Sequence, residues 1–243
     1  MKVRFCHFDQ IDSTNDEAKR LAELGEPEGT VVTAESQTAG RGRSGRAWIT
    51  PPGRAIAMSI ILRPIAPALH LTQIALLGGL AVLEGIQRVA GLPAQIKWPN
   101  DVLVRGKKVA GVLAEAAFRG EGVEYVVLGV GVNVNGGPPP DLQLDYEAVS
   151  LADELGCVLD RDSVRDAILA ALEVRYSQLG TAALTAAWAE HLAMRGAVVR
   201  VTGMLETITG TLEAVKEDGT LVLRQENGSA RTVLAGDVHL RRG

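Results

Sequence analysis

The segment Gln37-Thr-Ala-Gly-Arg-Gly-Arg-Ser-Gly-Arg-Ala-Trp48 decides most of what can be said about the fold. Its glycines follow the spacing GxGxxG, which in dinucleotide-binding folds opens a helix. Pro51 and Pro52 follow too closely for a helix to continue, and residues 46–83 contain no Asp or Glu to hold a ribose. A phosphate-binding P-loop is excluded because Arg46 and Ala47 stand where Lys and Ser or Thr are required. The segment therefore predicts a glycine-rich loop outside any doubly wound nucleotide-binding sheet.

This loop carries Arg41, Arg43 and Arg46 within six residues. Their positive charges repel one another unless anions bind, and guanidinium groups suit bidentate contact with phosphate or carboxylate. A solvated surface loop explains the same charges equally well. The nearby Trp48, whose indole can cover a flat ligand, favours an anion-binding lid, here defined as residues 37–53.

The regions around the lid predict an α+β domain followed by a small all-β module. Strands are predicted at residues 3–8, 30–34, 56–62, 101–104, 108–113 and 124–135, the fourth and fifth as a hairpin. Helices are predicted at residues 18–24, 71–89, 163–179 and 184–193, the first with Thr14 and Glu17 as a capping box. From Gly196 closely spaced turn signals predict an antiparallel barrel or sandwich. We expect a domain boundary between residues 194 and 195, which divides the chain into residues 1–194 and residues 195–243.

Composition and charge narrow the class of protein. The chain has 243 residues, 25 Lys and Arg against 29 Asp and Glu, and a net charge of −4, so no global polycation favours nucleic acid. Cys6 and Cys157 cannot make a disulfide framework, which indicates a reducing compartment. The N-terminus lacks a signal-peptide pattern, and the longest apolar run, residues 74–83, is too short to span a membrane. A soluble cytoplasmic protein is expected.

Further segments carry candidate functional side chains. Lys97-Trp-Pro-Asn-Asp101 precedes Lys107-Lys108-Val-Ala-Gly111, where a lysine at a strand edge beside a carboxylate can serve as a fixed cation. Ser13-Thr14-Asn15 begins a helix, and Gly129-Val-Gly-Val-Asn133 ends a buried strand. Helix capping, hairpin decoration and a bulge are simpler explanations of each segment alone. The four histidines lack metal-ligand spacing and GxSxG is absent, so a zinc site and a hydrolase elbow are not supported.

Taken together and in this order, these segments resemble the biotin protein ligases over nearly the whole chain. The resemblance implies a mixed or antiparallel sheet with helices, of class II synthetase-like type, plus a C-terminal SH3-like β-barrel. It implies a catalytic domain at residues 1–194 and the SH3-like domain at 195–243. Because Ser13 lies so near the first residue, it implies the ligase-only class without a DNA-binding domain.

The family joins biotin to ATP as biotinyl-5′-AMP and then passes biotin to a lysine of a carboxyl-carrier protein of acetyl-CoA carboxylase or a related carboxylase. Mg²⁺ is implied, and its ligands are left open. The catalytic residues implied are Lys108, Arg41 and Asp101. The biotin contacts implied are Ser13, Thr14, Asn15, Gln37, Arg41, Gly42, Arg43, Lys108 and Gly111. The ATP contacts implied are Arg43, Arg46, Trp48, Lys97, Asn100 and Asn133.

Two other functions stay open at this stage. A lipoate ligase or octanoyl transferase shares a similar core, but its acid has no ureido group to match Ser13, Thr14 and Gln37. A non-catalytic sensor of biotin or nucleotide would not need Lys108 and the lid arginines. A DNA-binding repressor is the least favoured, and a homodimer is a possible assembly that the sequence does not test.

Overall fold

The computed structural model describes residues 1–65, 71–120, 122–139, 146–203, 206–234 and 236–240. The helices are α1 (Thr14–Glu23), α2 (Leu71–Ala90), α3 (Leu151–Leu155), α4 (Arg161–Tyr176) and α5 (Ala182–Glu190). The strands of the first sheet are β1 (Arg4–Ile11), β2 (Thr30–Gln37), β3 (Ala55–Leu62), β4 (Ala94–Lys97), β5 (Asp101–Val104), β6 (Lys107–Arg119) and β7 (Gly122–Asn133). Those of the second are β8 (Val198–Thr202), β9 (Thr207–Val215), β10 (Leu221–Arg224), β11 (Ala230–Val233) and β12 (Asp237–Leu240).

The first sheet has the strand order β1-β2-β3-β7-β6-β5-β4, with β1 and β2 parallel and the other neighbours antiparallel. Helix α1 connects the parallel pair, as a crossover between parallel strands requires. The predicted hairpin is confirmed between β5 and β6. Its turn residues Arg105 and Gly106 have φ values of 49° and 80°, the positive angles that match the twist of a two-residue hairpin. The mixed sheet confirms the predicted α+β class.

Helices cover both faces of this sheet. On one face, Ala18 and Ala22 of α1 pack against Ile61 and Val127. On the other, α2 packs its apolar side chains against the sheet and α4. Strand β3 is buried along its whole length because both layers cover it. The sheet is therefore the rigid middle layer from which the site described below projects.

Several predicted helix boundaries were wrong, and three differences have a clear cause. Ser13, not Thr14, caps α1, because Thr14 turns into the protein and donates to Gln37. Helix α4 begins before residue 163 because the Asp160 carboxylate accepts from the backbone of residues 162 and 163. Helix α5 ends at Glu190 because the next residues pair with β4, where Ile96 receives and donates backbone hydrogen bonds.

Residues 73–90 of α2 have the length and composition of a membrane-spanning helix, with a mean hydropathy of 1.2. This stretch is longer than the apolar run of residues 74–83 found in the sequence. However, 67% of that stretch is buried inside the protein, which is typical of a core helix. Cys6 and Cys157 are both free, as expected.

The second sheet is antiparallel, in the order β11-β10-β9-β8-β12, and confirms the all-β module predicted from residue 196. Its arrangement is consistent with an SH3-like fold, although its edge strands β11 and β12 do not pair within the described residues, so no closed barrel forms there. The sheet rests on the first unit through a turn, where Trp98 Nε1 donates to the carbonyl of Gly219 at 2.9 Å.

Candidate active site

One cavity collects most of the residues singled out in the sequence. It lies where the N-terminus of α1, the lid and strands β3, β6 and β7 meet. The space left inside is about 60 Å³, far below the roughly 300–1,000 Å³ of a typical small-molecule site. Residues of the lid line this small cavity, so we expect the lid to move before a ligand enters. The candidate residues that line the cavity are Ser13, Thr14, Asn15, Gln37, Arg41, Gly42, Arg43, Arg46, Trp48, Asn100, Asp101, Lys108 and Gly111.

The first turn of α1 builds the polar end of the cavity. Thr14 donates its backbone N–H and its hydroxyl to Gln37 Oε1, at 2.8 and 3.1 Å. Gln37 Nε2 in turn donates to Thr50 at 3.1 Å, which fixes the orientation of the Gln37 amide. The Ser59 hydroxyl lies 2.8 Å from Thr14 Oγ1. Because Ser13 and Thr14 are both buried, these groups form a preorganised set of donors and acceptors.

Asn15 forms part of the wall between this end and the lid. Its Oδ1 accepts from Ser59 at 2.6 Å, and its Nδ2 donates to Glu115 Oε2 at 2.7 Å. A Cβ on Gly129 would lie 2.1 Å from Asn15 Oδ1, so β7 needs glycine at this point. Lys19 also donates to Glu115, at 2.6 Å. The hydrogen bonds to Ser59 and Glu115 therefore fix the position of the Asn15 side chain.

Lys108 is a nearly dry cation at the centre of the cavity. Its Nζ lies 2.8 Å from Asp101 Oδ1, and the two side chains are only 11% and 14% exposed. A Cβ on Gly111 would lie 3.3 Å from Lys108 Cε, so glycine leaves the lysine room to extend. An ammonium has three N–H donors, which leaves donors for a ligand after Asp101 has taken one.

Lys97 stands opposite Asp101 in the pairing of β4 with β5. Its side chain reaches the adjoining grooves with His239, and the main cavity does not include it. Burial lowers the pKa of Lys97, and the charge of Asp101 opposes that shift. Among the described residues Lys97 forms no ion pair, so it is a partly desolvated cation available to an anion.

The lid arginines are held by different parts of the chain. Arg41 donates to both carboxylate oxygens of Asp16, each at 2.6 Å. That hydrogen bonding lowers the pKa of Asp16 and raises the pKa of Arg41. Arg46 forms an ion pair with Asp237 of β12. Arg43 also lies near a carboxylate, with its Nη1 3.9 Å from Asp237 Oδ1, so the protein itself supplies anions for all three arginines.

Arg43 points inward and is held differently. Its Nη1 donates to Asn100 Oδ1 at 3.2 Å and to the carbonyl of Gly236 at 3.4 Å. Burial lowers the pKa of Arg43, and Asp237 and Asp101 oppose the shift. Asn100 also donates to the carbonyl of Val112 at 2.7 Å, which fixes its side chain. Like Lys97 and Lys108 on the strands, Arg43 is therefore a cation that is largely removed from water.

Trp48 forms the opposite wall, flat against β7. A Cβ on Gly131 would lie 2.2 Å from the Trp48 ring, so only glycine lets the indole lie there. Trp48 and Asn133 line one small adjoining pocket. Trp48 Nε1 and Asn133 Oδ1 are buried there without a hydrogen-bond partner among the described residues. A donor and an acceptor left unpaired are costly unless a ligand pairs with them.

Sequence reasoning missed several contributors to this site. Ser59 lies in an apolar strand, and Asp16 looked like an ordinary first-turn acid of α1. Glu115 and Asp237 belong to segments without a motif, and only the folded chain places them beside Asn15 and Arg46. Tyr146, which also lines the cavity, follows the undescribed residues 140–145. None of these residues carries a local pattern that would have identified it.

Family models account for both units. Residues 7–133 match the biotin/lipoate A/B protein ligase family, and residues 198–241 match the biotin protein ligase C-terminal domain. The chain therefore belongs to the biotin/lipoate A/B protein ligase family. The presence of the C-terminal domain and the relatives described next identify the biotin protein ligases within it, which confirms the resemblance read from the sequence.

The chain is 36% identical to the biotin–[acetyl-CoA-carboxylase] ligase of Paracoccus denitrificans, over 90% of this chain and 93% of that protein. It is also 36% identical to the bifunctional ligase/repressor BirA of Bacillus subtilis, over 99% of this chain and 75% of that protein. Among solved structures, the biotin protein ligase from Aquifex aeolicus in complex with biotin and ATP has a TM-score of 0.83 at 29% identity, with 99% of both chains covered.

Proposed function

We propose that this protein activates biotin with ATP to biotinyl-5′-AMP and transfers the biotinyl group to a lysine of a biotin carboxyl carrier protein. The observation that carries the proposal is the Lys108 ammonium, 2.8 Å from Asp101 and almost shielded from water, beneath a lid that carries three arginines. Attack of a carboxylate on an α-phosphate brings two anions together, and preorganised cations in a dry site offset their repulsion.

In the first step, an oxygen of the biotin carboxylate attacks the α-phosphorus of ATP. The bond from that phosphorus to the bridging oxygen breaks, and pyrophosphate leaves. Lys108 is assigned to bridge the carboxylate and the α-phosphate, and Asp101 orients its ammonium. In the second step, the neutral amine of the acceptor lysine attacks the acyl carbon, the bond from that carbon to the phosphate oxygen breaks, AMP leaves, and the nitrogen loses a proton to water as the amide forms. Holding the reactants in place lowers the entropic barrier to both steps.

The biotin end of the site is assigned to Ser13, Thr14, Gln37 and the wall residue Asn15, with Gly42, Arg43 and Gly111 completing it. The ureido group of biotin has two N–H donors and one carbonyl acceptor. A pocket that leaves one such group unpaired loses about 1–3 kcal/mol, and the buried Thr14–Gln37 hydrogen-bond set provides partners. We assign Arg41 to hold the lid over biotin and its adenylate.

The nucleotide end is assigned to Arg43, Arg46, Lys97 and Asn100 around the phosphates and to Trp48 and Asn133 beside the adenine. The unpaired Trp48 Nε1 and Asn133 Oδ1 support the adenine assignment. The described residues hold no group of three His, Cys, Asp or Glu side chains that could bind a metal. Mg²⁺ usually binds through one or two carboxylates together with substrate phosphates and water, and here it would neutralise part of the phosphate charge.

The remaining assignments concern the whole molecule. Residues 1–194 are assigned as the catalytic domain and residues 195–243 as the C-terminal domain, acting in the cytoplasm on a carrier domain of acetyl-CoA carboxylase or a related carboxylase. The net charge of −4 favours a protein partner over DNA. The ligase-only class and a homodimer stay predictions.

Radiolabelled biotin and lipoate, each offered with ATP and a carrier domain, test the proposal. We expect ATP-dependent label transfer from biotin, with release of pyrophosphate. Transfer from lipoate alone would assign a lipoate ligase instead, and binding of biotin without pyrophosphate release would assign a sensor.

A further inference from the structure

Two aromatic rings face the ammonium of Lys108. Its Nζ lies 4.5 Å from the centroid of the Tyr146 ring and 5.7 Å from that of Trp48. Trp48 belongs to the lid, whereas Tyr146 belongs to no motif of the sequence and lies outside both segments matched by the family models. Tyr146 nevertheless lines the main cavity and both small pockets beside it.

The backbone fixes Tyr146 beside Lys108. The N–H of Lys108 donates to the carbonyl of Glu147 at 2.8 Å, and the N–H of Val149 donates to the carbonyl of Lys108 at 3.0 Å. These bonds form a parallel bridge between Lys108 and Ala148, next to the start of β6. The position of the ring is therefore tied to the residue whose ammonium it faces.

An aromatic face suits this position for an electrostatic reason. A second carboxylate would hold the ammonium but would cancel its charge and occupy another N–H donor. A ring face attracts the cation and leaves both the positive charge and the donors available. If the proposed function holds, the carboxylate of biotin and the α-phosphate of ATP need that charge and those donors at the same time.

We propose that Tyr146 is a positioning residue for adenylation, whose ring holds the Lys108 ammonium in line with the reacting groups. Tyr146 acts through Lys108: the ammonium contacts Asp101 at 2.8 Å, and the ring, 4.5 Å away, is a second attractive group that restricts where the ammonium lies. The aromatic face carries the effect, and the hydroxyl has no part in it.

Biotin-dependent exchange of pyrophosphate into ATP tests this role in Tyr146→Phe and Tyr146→Leu. We expect Tyr146→Phe to keep the wild-type rate within about twofold and Tyr146→Leu to lower kcat about tenfold, as loss of a desolvated cation–π contact predicts. The KM for biotin should change far less than kcat. Equal losses in both variants, or a normal rate in Tyr146→Leu, would overturn the role.

A graded series separates the ring's electrostatics from its shape. Phenylalanine at position 146 with increasing fluorination keeps nearly the same shape while its face becomes less negative, so the exchange rate should fall stepwise. A flat series would overturn the proposal. Phe5→Leu is the matched control, because the Phe5 ring faces Arg165 at 4.6 Å on a distant surface. Absence of exchange in the unaltered chain would overturn the proposed function as well, whereas the other outcomes concern Tyr146 alone.

Discussion

The cations of the lid and those of the strands differ in how the protein holds them. Arg41 and Arg46 sit on a glycine-rich loop, and each is paired with a carboxylate of another element, Asp16 or Asp237. Lys97 and Lys108 sit on β4 and β6 in the rigid sheet and are largely shielded from water. The loop cations are thus paired and exposed to water, at 39% and 42%, whereas Lys108, although paired with Asp101, is only 11% exposed on a strand.

This difference indicates that the positive charges on the strands and those on the lid have different tasks. A cation that must stabilise a transition state gains from a fixed position in a dry site, where it does not reorganise during the reaction. A cation that must bind a ligand and later release it can exchange the ligand for a carboxylate of the protein. Here Asp16 and Asp237 are the carboxylates that pair with Arg41 and Arg46. We therefore expect the strand lysines to control the rate of adenylation and the lid arginines to control the retention of its product.

The largest effect is expected from Lys108→Ala. Loss of the central cation should lower pyrophosphate exchange by about a thousandfold, similar to the loss of a preorganised oxyanion donor in other enzymes. Lys107→Ala is the control, because Lys107 is exposed and paired with Glu147. Normal exchange in Lys108→Ala would contradict the task assigned to the strand.

Gly131→Ala tests the surface on which lid and strand meet. The added Cβ would lie 2.2 Å from the Trp48 ring, so the indole must leave β7 and the lid cannot close as it does here. We expect the KM for ATP to rise about tenfold or more, since overpacking of this kind typically costs 1–3 kcal/mol. Gly122→Ala, on the same strand but with its nearest neighbour at 3.7 Å, should behave like wild type. An unchanged KM in Gly131→Ala would argue against Trp48 as an adenine contact.

Arg41→Gly should increase the amount of free biotinyl-5′-AMP that escapes the enzyme, because the lid loses its contact with α1. The expected increase is about tenfold, which corresponds to about 1.4 kcal/mol, near the lower end of the range for a hydrogen bond between charged groups. Chromatography of the products measures it, with Arg20→Gly as the control because Arg20 pairs on the surface with Asp12 and Glu17. No increase in release would contradict the retaining task of the lid.

The smallest effect concerns the pH dependence of stability. The hydrogen bonds from Arg41 hold the pKa of Asp16 below its ordinary value of 3.8. A lowered pKa means that the pair stabilises the folded state fully above pH 3.8 and ceases to do so as the pH falls further. Asp16→Asn should therefore lower the free energy of unfolding at neutral pH by about 1 kcal/mol or less, since the pair is partly exposed. Urea unfolding should show this difference shrinking below pH 3.8, and a constant difference would contradict the linkage.

The sequence predicted the parts of this site that lie in motifs. The β5–β6 hairpin follows from Arg105-Gly106 between alternating apolar runs, and the lid follows from glycines and arginines bounded by prolines. These are local signals, because turn geometry and charge repulsion act over a few residues. The family resemblance added the order of the motifs along the chain.

The partners of those motifs could not be predicted. Asp16 and Asp237 are 221 positions apart along the chain (237 − 16), yet both hold the lid. Ser59 sits in a strand buried on both faces, where a hydroxyl has no local signature. Such contacts depend on how the layers pack, which periodicity and composition do not specify.

The ion pair between Arg46 and Asp237 joins the lid to β12, the last strand among the described residues. Whatever lifts the lid must leave Asp237 without that arginine, so lid opening and the seating of β12 are linked equilibria. A nucleotide that draws Arg46 towards its phosphates would loosen the C-terminal sheet, and a carrier protein that shifts this sheet would change how long the lid stays shut. If the proposed function holds, the position of β12 would then depend on whether the adenylate is bound.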